Sequence, residues 1–238
     1  MALSILILAA GRHEADSISP VYLAEHGGET ILELIFKKYL ALSPADIAIC
    51  FLKSDIQKFN VDRAATLLCP DVRIVEIEQD TGGSGCTALF AACQLPQDNE
   101  LMIVSANEFI NVDLAPVLDG FRDRQLDGAT LTFQSTNPRY SFVKMNEDGQ
   151  VVEVAQQSPI STHATVGLFW YARAGDFVDA AQKMIVKNAR TNDFFFLAPA
   201  FNEMILDNKY IGTTPIDKAD YWPVKTAAQR KLLEEDQT

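Results

Sequence analysis

The residues of this chain that could do chemistry fall in three polar loops, each directly after an apolar run. The first loop follows Ser4-Ile5-Leu6-Ile7-Leu8-Ala9, begins at Ala10, Gly11 and Arg12, and reaches Gly28. Small residues there let backbone amides approach a bound group, and Arg12 adds a cation. The second loop, Glu78 to Ser84, carries Asp80-Thr81-Gly82-Gly83-Ser84-Gly85 ahead of a helix. Exposed amides at a helix start suit a phosphate, or a base or ribose edge. The third, Ser105 to Asp113, holds Asn107, Glu108 and Asp113. Carboxylates at a strand end can hold Mg2+, which would bridge nucleotide phosphates. Each loop also has a plainer reading: a corner turned at Gly11, a turn capped by Ser84, and solvated acids. Gln156 to Ala164 is a fourth contributor, and its His163 reads equally as a structural histidine. Arg190 and Asn192 lie between two helices, where surface placement is the alternative; Phe194, Phe195 and Phe196 read as core.

These loops need a scaffold that brings them to one edge. The Ser4–Leu8 run lacks alternation, as expected of a strand buried on both faces. Thr30-Ile31-Leu32-Glu33 is a capping-box pattern opening a helix to about Leu42. Ala45–Leu52 reads as a strand, Ser54-Asp55-Ile56-Gln57 as the start of a short helix, and Val72–Ile77 as a third strand. Gly85–Cys93 reads as a helix and Glu100–Val104 as a fourth strand. This alternation predicts a parallel sheet with helices on both faces and its ligand edge at the strands' carboxyl ends. The second half predicts a helix over Leu114–Arg124 and a strand over Ala129–Gln134. A hairpin follows, Tyr140–Met145 with Gln150–Ala155 across Asp148-Gly149, then a strand over Ala164–Tyr171. Helices are predicted over Gly175–Lys187 and Phe194–Leu206, a strand over Lys209–Pro215 and a helix over Thr226–Glu235. The fold class expected is α/β, a three-layer sandwich around a mixed sheet with a parallel N-terminal half, forming one domain over 1–238.

Composition narrows the function. The chain has 238 residues, 48% of them hydrophobic, enough for one large core. Its net charge of −12 argues against general affinity for nucleic-acid backbone, though not against a small anionic ligand. The three His and four Cys show no metal spacing, and Cys50, Cys86 and Cys93 read as reduced core residues of a cytoplasmic protein. The N-terminal apolar run is too short for a membrane span and has no basic residues before it.

Taken in order, the motifs resemble the sugar-phosphate nucleotidyltransferase family, and within it the branch of capsular and surface-polysaccharide biosynthesis. The resemblance runs from Ile7-Leu8-Ala9-Ala10-Gly11 through Pro20, Leu23, Gly83–Leu89 and Ile103–Asp113. It is strongest over Leu131–Val154 and Ser158–Tyr171, with Pro159-Ile160-Ser161 and His163-Ala164-Thr165-Val166-Gly167. Asn192, Phe195, Pro199, Asn202, Glu203, Trp222 and Thr226 continue it. It implies a GT-A-like, Rossmann-like fold. It also implies a reaction in which a sugar 1-phosphate attacks the α-phosphorus of a nucleoside triphosphate, releasing pyrophosphate and a nucleotide sugar, with Mg2+ as cofactor. The partners implied are a nucleoside triphosphate or nucleotide sugar and a sugar phosphate; no membrane is implied, and a homo-oligomer is compatible with the family. Carried over, Ala10, Gly11, Gly83, Ser84 and Asn107 would meet the nucleotide. Gln157, His163, Gly167 and Asn192 would meet the sugar; outside the family's own positions, Glu108 and Asp113 are the candidates for the metal, and Arg12 and Lys144 for the reacting phosphates.

The chain departs from the family where charge matters. His13 stands at the second glycine of the G-x-G-x-R loop, and its arginine position falls near Ala15. Val21 follows Pro20 where lysine is usual. Asn107 takes the metal aspartate's place, Gln156-Gln157 that of an E-K pair, and Phe194 that of a sugar-binding Glu. Trp222-Pro223-Val224-Lys225-Thr226 lacks the metal carboxylate. A charge-assisted contact is worth about 1.5–3 kcal/mol, so two missing lysines alone remove roughly 3 kcal/mol, over a hundredfold in rate. Two functions remain open: a divergent nucleotidyltransferase drawing on Arg12, Lys144, Glu108, Asp113 and Lys225, or a nucleotide- or sugar-binding pseudoenzyme. Another group transferase on this scaffold ranks third, because no D-x-D-like motif is present.

Overall fold

Seven residues buried almost throughout, Leu3–Ala9, form strand β1 at the centre of the sheet, as their unbroken apolar run requires. The computed structural model describes residues 2–11 and 19–224. After β1 come a 3-10 turn at Val21–Leu23 and a small hairpin, β2 (Glu25–His26) with β3 (Glu29–Thr30). Helix α1 (Ile31–Leu40) follows, with the capping box in place: Thr30 Oγ1 accepts from the Glu33 amide, and Glu33 accepts from the Thr30 amide. The chain continues through β4 (Asp46–Leu52), α2 (Lys53–Phe59), α3 (Val61–Leu68), β5 (Arg73–Ile77), α4 (Ser84–Ala92) and β6 (Glu100–Ser105). Then come β7 (Glu108–Ile110), α5 (Leu114–Asp123), β8 (Gly128–Gln134), β9 (Ser141–Met145), β10 (Val151–Gln156) and β11 (His163–Tyr171). Helices α6 (Ala174–Val186) and α7 (Ala200–Leu206) and strands β12 (Ile211–Pro215) and β13 (Tyr221–Pro223) complete the described chain.

The main sheet has nine strands along β10-β9-β11-β6-β1-β4-β5, with β8 on the other side of β11 and β12 beyond it. β5, β4, β1 and β6 are mutually parallel, and β11 runs antiparallel to β6, β8 and β9. The mixed three-layer architecture expected from the sequence is therefore present. The order reverses at β1, which has β4 on one side and β6 on the other; this is the switch point at which open α/β sheets hold ligands. One core packs on each face: Ile5, Ile7, Ile49, Phe51, Val104 and Trp170 on one, Leu6, Cys50, Ile103, Phe169, Phe177 and Phe201 on the other.

Several local expectations need correction. Phe194–Leu206 is helical only over Ala200–Leu206; the preceding aromatic residues are extended and bond to another loop. Helix α2 begins at Lys53, and Ser54 is not its cap; Asp55 is buried and accepts from the Tyr22 hydroxyl at 2.9 Å. Helix α3 and the short pair β7·β13 were not apparent from periodicity. Cys50 and Cys69 are buried and Cys86 packs half-buried against one core, but Cys93 is exposed and joins neither core. The helix expected over Thr226–Glu235 lies outside the described residues. Among the described residues, no helix is long and apolar enough to cross a membrane.

Candidate functional site

Adjacent parallel strands β1 and β6 end together, with Leu8 opposite Ser105. Their carboxyl ends therefore set Ala9-Ala10-Gly11 beside Ser105-Ala106-Asn107, the floor of a hollow of about 380 Å³. Val21 and Tyr22 close one side, and Asp80, Thr81, Gly83, Ser84 and Thr87 another. The remaining wall is Phe194 and Phe196. That size fits a small organic ligand, and the lining is mostly apolar with a few polar groups.

Gly83 explains why the aromatic wall stands there. Its φ of +122° is one that side-chain-bearing residues rarely adopt, and a Cβ there would run into the Phe195 carbonyl. Phe195 donates its amide to Gly82 O at 2.7 Å, and its carbonyl accepts from the Gly85 amide at 2.8 Å. These bonds lace the segment after α6 onto the loop before α4. Phe195 thereby turns into the core, while Phe194 and Phe196 flank the hollow. The Arg190 guanidinium lies 4.5 Å from the centre of the Phe195 ring, closing the stack from outside. The lacing has a chemical consequence: the Gly85 amide at the start of α4 is already satisfied by the chain's own carbonyl and is not offered to a phosphate.

A second hollow of about 320 Å³ shares Ser84, Ser105, Asn107 and Phe196 with the first, so the two are continuous. Its walls are the β9–β10 hairpin (Tyr140, Ser141, Gln156), Gln157 beyond it, and the middle of β11. The pairing of β11 with β8 breaks between Thr165 and Phe169, and Gly167 sits inside the break. Glu108, on β7, turns Oε2 onto the Gly167 amide at 2.5 Å, and a Cβ on Gly167 would lie equally close to that oxygen. Glu108 is only 6% exposed. Burial, and then its negative charge, push the phenols of Tyr39 and Tyr221 well above the usual tyrosine range. On the far wall Gln156 Oε1 accepts from the Ser141 hydroxyl at 2.5 Å, and Gln157 Oε1 accepts from Asn192 Nδ2 at 2.6 Å.

The structure brings Ala10, Gly11, Gly83, Ser84 and Asn107 together at the first hollow, and Glu108, Gln157 and Gly167 at the second. Asn192 reaches the second only through Gln157. Besides Asn192, three candidates line neither hollow. Lys144 is exposed on β9, opposite Glu153; His163 starts β11, with Nδ1 3.4 Å from Gln134 Nε2; Asp113 caps α5 through the Ala115 amide. Arg12 and Lys225 lie outside the described residues. Sequence reasoning missed Arg139, which lines the second hollow, because it sits in an unpatterned approach to β9; its place directly before a sheet strand was the available signal. It also missed Phe196 as a lining residue, reading it as helix and core, whereas Phe194, aligned with a sugar-binding Glu, does line the first hollow.

The described residues offer few donors to a divalent metal: Asp80 is the one carboxylate on the first lining and Glu108 the one on the second. No group of three His, Cys, Asp or Glu side chains converges among them. Glu108 is buried and already accepts the Gly167 amide, Asn107 is a neutral amide, and Asp113 points to a helix start. Mg2+ asks for near-octahedral oxygen ligands, usually one or two carboxylates with room for water and phosphate.

No family model matches the chain, and no curated protein matches it. Many solved structures share its fold, among them two sugar-nucleotide proteins. A nucleoside-diphosphate-sugar pyrophosphorylase from Vibrio cholerae RC9 superposes with a TM-score of 0.82 at 19% identity, over 96% of this chain and 98% of that one. A Bacillus anthracis protein assigned as a glucose-1-phosphate thymidylyltransferase, in complex with a sucrose, superposes with a TM-score of 0.75 at 15% identity, over 98% and 94%. Both superpositions span nearly the whole of this chain, and on them it has the sugar nucleotidyltransferase fold.

Proposed function

We propose that this protein binds a nucleotide sugar, with the nucleoside in the first hollow and the sugar in the second, and that it does not make nucleotide sugars at an ordinary rate. The observation that carries the reading is the continuity of two ligand-sized hollows across the β1/β6 switch point, lined almost entirely by neutral groups. Among the described residues, Arg139 is the one cation on either lining. Joining two phosphate-bearing substrates requires cations where charge builds at phosphorus. Val21, Asn107, Gln156 and Gln157 are neutral at the places where the family resemblance would put lysines and acids. The names of the two structural relatives favour the same ligand class.

A slow nucleotidyltransferase is the second reading, favoured by the presence of Arg139 itself. The test is calorimetric titration with nucleoside diphosphate sugars, alongside a pyrophosphate-release assay with the four nucleoside triphosphates, Mg2+ and a panel of sugar 1-phosphates. Binding with no release above background supports the proposal. Release at one turnover per second or faster, roughly the floor for ordinary enzymes, overturns it in favour of the second reading.

A further inference from the structure

Two glutamines in succession, Gln156 and Gln157, both line the second hollow. A strand sends neighbouring side chains to opposite faces, so this arrangement needs an interruption. It comes at Gln157, whose φ of +56° lies in the left-handed region, uncommon for a glutamine. Such a conformation persists only where the surroundings hold it. Asn192, 35 residues further along the chain, donates Nδ2 to Gln157 Oε1 at 2.6 Å.

Asn192 is itself set by a tight turn. The Thr191 amide donates to Phe194 O at 2.9 Å, and the Phe194 amide to Thr191 O at 3.0 Å. Between them Asn192 and Asp193 have φ of +47° and +67°, a left-handed pair that Asn and Asp tolerate. The Arg190 guanidinium fastens the turn by donating to Asn188 Oδ1 and Asp193 O.

These bonds orient carboxamides. Gln157 Oε1 is spent on Asn192 and Gln156 Oε1 on the Ser141 hydroxyl, so each glutamine keeps its NH2 group. Among the described residues neither Nε2 has a protein partner. Asn202, by contrast, spends both ends of its carboxamide on the Val154 backbone and serves the fold. The hairpin side of the hollow therefore offers N–H donors. A carbonyl oxygen accepts two such bonds with nothing left over, whereas a hydroxyl brings a proton of its own that needs an acceptor.

We propose that Asn192 is a positioning residue of the second hollow: it holds Gln157 so that two carboxamide NH2 groups meet a ligand carbonyl, and the hollow prefers a sugar with an acylamino substituent to the same sugar with a hydroxyl. This rests on the reading of that hollow as the sugar site. Donors and substituent are uncharged and the contact is open to water, so the preference is that of one net neutral hydrogen bond, roughly fivefold in affinity.

The test titrates the full chain by calorimetry with nucleoside diphosphate glucose and nucleoside diphosphate N-acetylglucosamine, in pairs that share a base. The readout is the ratio of the two affinities, in which the contributions of base and phosphates cancel. The N-acetyl form is expected to bind about fivefold more tightly. Asn192→Asp replaces the donor by an oxygen, so Gln157 must turn its NH2 group toward it and show the hollow its own oxygen; the ratio is expected to fall to one or below. Asn192→Gly removes the side chain without straining the left-handed turn, and Gln157→Glu removes the NH2 group itself; both are expected to bring the ratio toward one. Both positions are exposed, so unchanged denaturation midpoints serve as the folding control, and a loosened fold would weaken the two ligands alike without moving their ratio. Equal affinities in the wild type, tighter binding of the glucose form, or a preference that survives Asn192→Asp overturns the proposal; a preference lost in Gln157→Glu but kept in Asn192→Asp does so by leaving Asn192 without a role. If both nucleotide sugars bind equally, the sugar-site reading stands and the preference falls; if neither binds, both fall.

Discussion

The Glu108 carboxylate and the Gly167 amide meet at 2.5 Å inside the break in β11, so an acid near the expected metal position serves the sheet instead. The break leaves a backbone N–H without a strand partner, and a buried donor must be satisfied. Glu108→Ala removes its acceptor, with an expected loss of about 2–3 kcal/mol. Gly167→Ala forces a methyl against Oε2, with an expected loss of about 1–3 kcal/mol. The two residues are in contact, so the double variant should be less destabilised than the sum of the singles. Urea denaturation of the four proteins checks this; strict additivity would mean that the two do not interact.

Gly83 makes a second prediction. Replacing it with Ala places a Cβ against the Phe195 carbonyl at a strained φ, so the lacing to Phe195 must loosen. The expected cost is about 2 kcal/mol or more, and ligand affinity in the first hollow should fall with it, because Phe194 and Phe196 lose their anchor. Phe196→Ala is the complement: little change in stability, since the residue is only half-buried, but weaker binding. A Gly83→Ala protein that binds as tightly as the wild type would contradict this account of the aromatic wall.

Stability should fall at alkaline pH. Burial pushes the Cys50 thiol up to about 12, and it pushes the Tyr171 phenol up as well. Burial raises the Tyr22 phenol too, helped by the negative charge of Asp55 and a hydrogen bond to it. These groups stay protonated in the folded chain at pH values where the unfolded chain has released its protons. The folded state therefore binds more protons, and stability decreases as pH rises past the ordinary thiol and phenol values of about 8.5 and 10. Denaturation midpoints measured from pH 7 to 11 check the slope; Cys50→Ala should flatten its lower part.

Arg122 gives a test independent of the site. Its guanidinium holds the buried Glu100 with bonds of 2.7 to 3.3 Å. Arg122→Ala leaves that carboxylate buried without its cation, and the expected loss is about 2–4 kcal/mol, below the full value for a buried pair because Arg122 is partly solvated. Glu100→Gln in the same background should recover part of it.

Much of this architecture was legible in the residues, and the reasons are physical. Leu3–Ala9 could only be a strand covered on both faces, and Thr30 with Glu33 announced α1 by the bonds they make. The inward face of α6, with Phe177, Ala180, Ala181 and Met184, followed from its period, and all four are buried. What was not legible depended on partners far along the chain. Phe194–Phe196 has the apolar density of a helix, but the carbonyl and amide of Phe195 find partners at Gly85 and Gly82. Asn107, Glu108 and Asp113 share one segment, yet β7 sends Glu108 under β11 while Asp113 turns to α5. Arg139 carried no pattern of its own; only the closure of the hairpin beside β11 sets it at the second hollow.

The central claim is that the two continuous hollows hold a nucleotide sugar. Calorimetric titration of the full chain, in EDTA, with nucleoside diphosphate sugars differing in base and sugar tests it most directly. Saturable one-to-one binding of at least one of them, unchanged when Mg2+ replaces EDTA, is the result this account predicts. Heats indistinguishable from dilution across the whole set, or binding that appears only with Mg2+, would contradict it.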